Sequence, residues 1–380
     1  MEKILKGYVF RMYPTEEQKI LIEKSIGTSR FIYNHFLSIS KGIKINAYDY
    51  IKQLPSLTEE YNWLKEVDSC LLRTSIFDLE DAYQKYFKEN KGLPKFKSKV
   101  KSRKSYRTNN ITSTYKGKTY NSIELNLNKR LIKLPKLKEV EIKGYRNINK
   151  INGRIINATI YKEANKYYVS VCVEEYKEVT KVIPKTIIGL DLGIKNLVIT
   201  SDGKIYDNKK YIEKYERKIK GLQKWLARSQ KGSKNREKIK LKIQRAYQKL
   251  RNARKYLIHK ISKEITEEND IIVTEKLNIE KMVKKSNLAK KIYDASWYEL
   301  IRCIEYKSKW KNKKFYQVET NYPSSQICSH CSYQNKKVKD LSVRSWECPK
   351  CRCINERDIN ASINIMGEGI KKYMDELQFN

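Results

Sequence analysis

The chain carries too few acids for its bases. Lys and Arg number 81 against 43 Asp and Glu in 380 residues, a formal net charge of +38. A composition rich in Lys, Asn, Ile and Tyr looks like that of an AT-rich genome. Such a bias should enrich Glu as well, so it leaves the imbalance unexplained. The missing negative charge points to a polyanionic partner, most simply nucleic acid. Long apolar runs are missing too. Met1-Glu2-Lys3-Ile4 opens no hydrophobic segment of signal-peptide length, and no stretch is long enough to span a membrane. The expectation is a soluble, cytoplasmic, nucleoid-associated protein. Nor is there a disulfide framework. Four cysteines are scattered and four form two CxxC pairs, a metal pattern suited to a reducing compartment. No Tyr or Ser motif stands out as a nucleophile. What remains is a chain that is 40% apolar, enough for real cores, and long enough for about two or three domains.

Residues 4–13 read as a strand that Pro14 ends. Thr15-Glu16-Glu17-Gln18 is a capping box, so a helix should start at Glu16 and run to Ile26, with Gly27 ending it. A second helix is expected through Arg30, Phe31, Tyr33, Asn34 and Leu37. A third runs from Trp63 to Phe87, where Leu71, Leu72, Ile76, Leu79, Tyr83 and Phe87 keep a three-to-four-residue period until Gly92-Leu93-Pro94. A small structural bundle would also account for these helices. Lys95 to Arg107 is a basic run with Phe96 and Tyr106 interleaved, either a solvated loop or a phosphate-contacting segment. From Ile123 to Tyr176 the period becomes two. Turns at Asn152-Gly153 and Asn165-Lys166 suggest a small β-barrel or sandwich, and Pro184 marks its boundary.

The stretch Ile187-Ile188-Gly189-Leu190-Asp191-Leu192-Gly193 then places one carboxylate in the middle of an apolar, β-branched run. Such a run is a strand covered on both faces. A buried ionised Asp needs a partner, which a divalent metal, an Arg or a Lys would supply. Gly189 and Gly193 suit a strand that something approaches closely. Leu197 to Thr200, a turn at Ser201-Asp202-Gly203-Lys204 and a strand through Ile205 complete an antiparallel meander. An RNase H-like sheet begins this way. Tyr211 to Glu268 is one or two helices broken at Gly232-Ser233. The later one has Ile239, Ile243, Tyr247, Leu250, Leu257, Ile261 and Ile265 on one stripe and a basic surface, either solvated or facing a duplex. Asp270 to Glu275 is a short buried strand ending in a carboxylate, and Lys314 to Glu319 is another strand.

Cys328-Ser329-His330-Cys331, sixteen residues and Cys348-Pro349-Lys350-Cys351 fit the spacing of a zinc site. Four thiolates make a closed, tetrahedral, structural site, with His330 and Cys353 spare. Arg357-Asp358-Ile359-Asn360-Ala361 starts the last helix, where Asp358 on its own would be an N-cap. An RNase H-like fold would bring Asp191, Glu275 and Asp358 together at one sheet edge. Carboxylate oxygens suit Mg²⁺, and two such ions can serve phosphodiester hydrolysis.

These motifs, in this order, resemble the TnpB family, insertion-sequence-encoded relatives of the type V CRISPR effectors. Arg30-Phe31-Ile32-Tyr33-Asn34, Gly92-Leu93-Pro94-Lys95-Phe96-Lys97-Ser98 and Ser325-Gln326-Ile327-Cys328 carry the same resemblance, which spans essentially the whole chain. It implies an α+β multidomain fold. Residues 1–14 would be the first strand of a wedge-like β-barrel, 15–95 a helical recognition lobe and 96–183 the rest of the barrel. Residues 184–323 would form a RuvC-like nuclease domain with basic helices at 211–268, 324–354 an inserted zinc ribbon and 355–380 the nuclease domain's C-terminal helix. It implies Asp191, Glu275 and Asp358 as catalytic Mg²⁺ ligands, Zn²⁺ on Cys328, Cys331, Cys348 and Cys351, a transposon-derived guide RNA, and cleavage of guide-matched double-stranded DNA beside a short target-adjacent motif. One departure is Asn355-Glu356, where many members carry His or Asp before the last Arg-Asp pair. A guided DNA-binding regulator without cleavage and an accessory transposase are the alternatives.

Overall fold

The computed structural model describes residues 1–40, 45–144, 151, 153–178, 183–279, 282–283, 289–340 and 342–378, and it divides into two units, Met1–Glu178 and Val179–Asn380. Both mix helices and strands, so the chain is α+β. Among the described residues no helix is long and apolar enough to cross a membrane.

The first unit begins with β1 (Glu2–Tyr13) and α1 (Glu16–Ile39), followed by α2 (Ala47–Ile51), α3 (Leu54–Glu60) and α4 (Ser69–Glu89). The capping box forms as read, with the Thr15 hydroxyl accepting from Gln18 N and the Gln18 side chain reaching back. Gly27 does not end the helix; α1 runs through it as one element of 24 residues. A glycine inside a helix costs about 1 kcal/mol relative to Ala. Burial of Ile22, Ile26, Ile32 and Phe36 against α4 and the sheet outweighs that cost. Trp63 lies in a separate 3₁₀ turn, because Asp68 accepts from Cys70 N and caps a new helix there. Phe87, expected on the buried stripe, is 49% exposed, and Asn90 ends α4 in the left-handed conformation.

Strands β2 (Ser105–Asn109), β3 (Thr112–Tyr115), β4 (Lys118–Asn121), β5 (Glu124–Asn126), β6 (Leu131–Leu134), β7 (Lys138–Lys143), β8 (Arg154–Glu163) and β9 (Lys166–Lys177) follow. Seven of the strands form one antiparallel sheet in the order β2-β8-β9-β1-β7-β6-β5, and β3 pairs with β4 in a separate hairpin. The turn at Asn165 closes β8 on β9, with Ala164 and Asn165 both at positive φ. The turn expected at Asn152 falls outside the described residues. Helices and sheet share a single hydrophobic core, including Phe36, Leu71, Ile142, Ile160 and Val171.

The second unit contains β10 (Ile187–Asp191), β11 (Asn196–Thr200), β12 (Ile205–Asp207), α5 (Tyr211–Arg228), α6 (Lys234–Glu268), β13 (Ile271–Glu275), α7 (Ala289–Ala295), α8 (Trp297–Trp310), β14 (Lys314–Val318), β15 (Ser345–Glu347), β16 (Ile354–Glu356) and α9 (Arg357–Gln378). Its main sheet has the order β12-β11-β10-β13-β14. The first three strands are antiparallel and β10, β13 and β14 run parallel. Both faces are covered, as the apolar run at Asp191 predicts. Ile188, Leu190 and Ile272 pack with Ile258, Ile261 and Leu300 on one face, and Val273 packs with Ile365 of α9 on the other. Helix α6 serves two cores in turn, so its buried face shifts. Ala246 and Leu250 pack on Ile219 and Leu222 of α5, whereas Ile258, Ile261 and Ile265 face the sheet. Tyr247, expected on the stripe, is exposed and its hydroxyl accepts from Gln223 Nε2.

Candidate nuclease centre and cysteine cluster

The sheet register decides which side chains meet. Leu190 lies opposite Thr274 in the parallel pair β10–β13, so Asp191 and Glu275 stand at the C-terminal ends of adjacent strands. Asp191 is thus the last residue of its strand, not its middle. Side chains alternate along a strand, so Asp191 shares a face with Gly189, and Glu275 shares one with Val273. Helix α9 covers that face. A β-carbon built on Gly189 would overlap the Ser362 carbonyl oxygen and stand 2.7 Å from Met366 N. On the next strand, a β-carbon on Gly369 would run into the Val273 side chain. These two close approaches seat the helix. Asp358 lies one turn before Ser362, in the first turn of α9 rather than at its N-cap.

All three carboxylates line one cavity of about 620 Å³, together with Lys195, Lys210, Lys291, Arg344 and Arg357. Burial, with Glu275 and Asp358 nearby, drives the Asp191 carboxyl well above the ordinary carboxylate range, against the pull of Arg357. Burial likewise pushes Glu275 up to about 7, opposed by the Leu192 backbone amide. Three acids that crowd one another in a half-buried groove call for a cation. Among the described residues one ion pair reaches them: Arg344 Nη1 lies 3.5 Å from Asp358 Oδ2. Arg344 has no motif of its own in the sequence. Its place two residues before Trp346, at the foot of the β15–β16 hairpin, brings it into the groove.

The four cysteines of the CxxC pairs converge, with all four sulfurs within 4.8 Å of one another, and could hold a metal ion. The two pairs are built alike. Ser332 N donates to Cys328 O and Arg352 N to Cys348 O, each at 2.9 Å, and both donors lie at positive φ. Cys353 and His330 stay outside the cluster. The ribbon is tied to α9 by amides that sequence reading passed over. Asn360 Nδ2 donates to Ile327 O at 2.6 Å and its Oδ1 accepts from Ser329 N. Asn364 Nδ2 donates to Ser324 O and Ile327 O. Their signal was an i, i+4 pair of asparagines on one helix face.

Comparison with known proteins finds relatives along most of the chain. Residues 170–286 match the OrfB_IS605 family described as "Probable transposase", and residues 1–43 match the associated "Helix-turn-helix domain". Residues 297–365, which contain the cysteine ribbon, match "Cas12f1-like, TNB domain". A "Putative RNA-guided DNA endonuclease" of Streptomyces pristinaespiralis is 28% identical over 97% of this chain and 90% of its own length. The "Putative RNA-guided DNA endonuclease InsQ" of Escherichia coli is 29% identical over 97% and 93%. A TnpB-like protein of Acanthamoeba polyphaga mimivirus is 26% identical over 37% of this chain and 28% of its own. With family matches at both ends and in the middle, and relatives aligned along almost its full length, the chain belongs to the TnpB family.

Proposed function

We infer that the chain is a transposon-associated, RNA-guided DNA endonuclease whose second unit holds the nuclease centre. The observation that carries this reading is the convergence of Asp191, Glu275 and Asp358, from three distant stretches, on one groove of a protein with a net charge of +38. The names of the full-length relatives support it. The sheet, three antiparallel strands continued by two parallel ones, supports an RNase H-like, RuvC-type domain made of residues 184–323 and 355–380. Residues 324–354 are then its zinc ribbon, 15–95 the recognition lobe, and 1–14 with 96–183 the wedge-like barrel. The partners are a guide RNA from the transposon and double-stranded DNA that matches it beside a short adjacent motif.

The donor set fits Mg²⁺. It consists of carboxylate oxygens alone, and without a cation two of the three acids are held up toward their protonated forms. When bound, a pair of such ions would activate water and stabilise the leaving oxygen of a phosphodiester. The chain's own residues do the placing. Strands β10 and β13 fix Asp191 and Glu275 side by side, and α9 brings Asp358 to them. Arg344 orients Asp358 and offers a guanidinium at the groove, where a scissile phosphate would meet it. Lys195, Lys210 and Lys291 favour a polyanion along the same walls. Four sulfur donors fit Zn²⁺ in a closed, structural site.

The test is to purify the chain with whatever nucleic acid it carries, sequence that RNA and assay DNA matched to it. The reading predicts a discrete RNA and cleavage that needs both the RNA and the match. RNA-free protein that cuts unmatched DNA equally well would contradict it.

A further inference from the structure

The first unit encloses a cavity of about 330 Å³ with walls of the opposite character. Arg30 of α1, Lys97 and Arg103 of the coil before β2, and Arg107 of β2 line it with a single carboxylate, Asp78 of α4. Asp78 is already engaged, with Arg107 Nη2 at 2.7 Å from its Oδ1. Among the described residues Arg107 Nε is buried without a hydrogen-bond partner. Arg30 makes no ion pair among the described residues. Lys97 is set over the Tyr33 ring at 3.7 Å and Arg103 over the Tyr161 ring at 4.6 Å. Burial pulls the Lys97 ammonium down and pushes the Asp78 carboxyl up, as expected for charges taken out of water.

The coil that carries Lys97 has no secondary structure, yet it is fixed. Asn34 Nδ2 donates to Lys97 O at 2.9 Å, and Lys97 N donates to Asn34 Oδ1 at 2.8 Å. Ser98 N donates to Ser102 Oγ at 2.8 Å. Four cations, three of them half-buried and Arg103 exposed, line one cavity with a single carboxylate and repel one another, and an anion would answer that excess. Guanidinium groups pair with phosphate through parallel N–H donors, and in a chain of this charge the phosphate at hand is that of nucleic acid.

We propose that this cavity is a built phosphate site, which seats one phosphodiester group of a nucleic-acid backbone between Arg30 and Arg107, with Lys97 and Arg103 beside it. An RNA strand and a DNA strand present the same group, so the experiment carries one arm for each. The proposal rests on this cavity alone and stands whether or not the carboxylate groove cleaves.

The full chain, stripped of nucleic acid at high salt, is titrated against a mixed-sequence single-stranded RNA and a mixed-sequence DNA duplex over a range of NaCl. Wild type is compared with Arg30→Gln and with Lys88→Gln, an exposed residue of α4 outside the cavity. Arg103→Gln is a second variant should Arg30→Gln fail to fold. The cavity variants should bind about tenfold more weakly in at least one arm, and the slope of log affinity against log salt should fall there by about 0.7 for RNA or about 0.9 for duplex. The arm that responds names the strand. Cavity variants that match Lys88→Gln in both arms would overturn the proposal, and so would a loss of affinity with no change of slope.

Discussion

Gly189 lies directly under the carbonyl of Ser362. A β-carbon at Gly189 would overlap that oxygen and press on Met366 N at 2.7 Å. Two residues further along the strand is Asp191, and one turn back along the helix is Asp358. The missing side chain therefore sets how near the two acids come. Gly189→Ala should cost about 1–3 kcal/mol or more, since the obstacle is backbone and cannot turn aside. It should also lift α9 and lower cleavage in the fraction that folds. Gly369→Ala meets a side chain instead, that of Val273. Adding Val273→Ala should therefore recover part of the lost stability for Gly369→Ala and none for Gly189→Ala. Denaturant unfolding of the singles and doubles checks this coupling.

Asn360 is 2% exposed, and its amide group joins α9 to the ribbon on both sides of Cys328. Asn360→Ala leaves the half-buried Ser329 amide hydrogen unpaired, at about 1–3 kcal/mol or less, while Ile327 O keeps its bond from Asn364. Arg344 sits on the same ribbon. The variant should keep its metal but cleave more slowly, because Arg344 is then less well held near Asp358. Metal analysis alongside a cleavage assay separates the two effects.

Cys348→Ser removes one of four thiolates from a site with no open position. The variant should lose its metal, about one zinc per chain. Stability or solubility should fall before the chemistry changes in any folded fraction. A folded, zinc-free Cys348→Ser protein of unchanged activity would show that the ribbon needs no metal.

Burial raises Glu275 to about 7 from 4.5. In the metal-free protein the folded state then holds a proton that the unfolded state has released. Stability from this group is fully present below pH 4.5 and is lost as pH rises through about 7, on the order of 3 kcal/mol at most. Asp191, raised in the same direction, adds to the loss. Melting temperatures without metal should therefore fall from pH 5.5 to pH 8. Glu275→Gln should flatten the fall, and Mg²⁺ should offset it in wild type only. A profile that rises over that window would contradict the arrangement of the acids.

Much of this was legible along the chain, for reasons that differ by element. The capping box at Thr15, the hairpin turn at Gly203 and the break at Gly232 are local chemistry, and they appear where the residues put them. The carboxylates Asp191 and Glu275 were readable because each stands out against a β-branched run whose burial it would oppose, although Asp191 closes its strand instead of standing in its middle. Gly27 misled because its cost is local whereas the burial that overrides it is tertiary. The stripe on α6 misled because the helix changes partners midway, so no single period describes it. Arg344, Asn360 and Asn364 left almost no trace, since each acts across a long sequence gap on a backbone carbonyl or a carboxylate.

The measurement closest to the central claim pairs binding with cleavage. Protein carrying its copurified RNA is given matched DNA with Mg²⁺, for wild type, Asp191→Ala, Glu275→Ala and Asp358→Ala. Binding is read by gel shift and cleavage by product formation. Removal of one carboxylate should slow cleavage more than about a hundredfold, the effect of a single term of ~3 kcal/mol, because metal occupancy falls as well. Binding should persist, since guide pairing and basic contacts carry it. Cleavage at the wild-type rate by Asp191→Ala or Glu275→Ala would contradict the assignment of the centre, and binding lost as fully as cleavage would contradict its separation from target recognition.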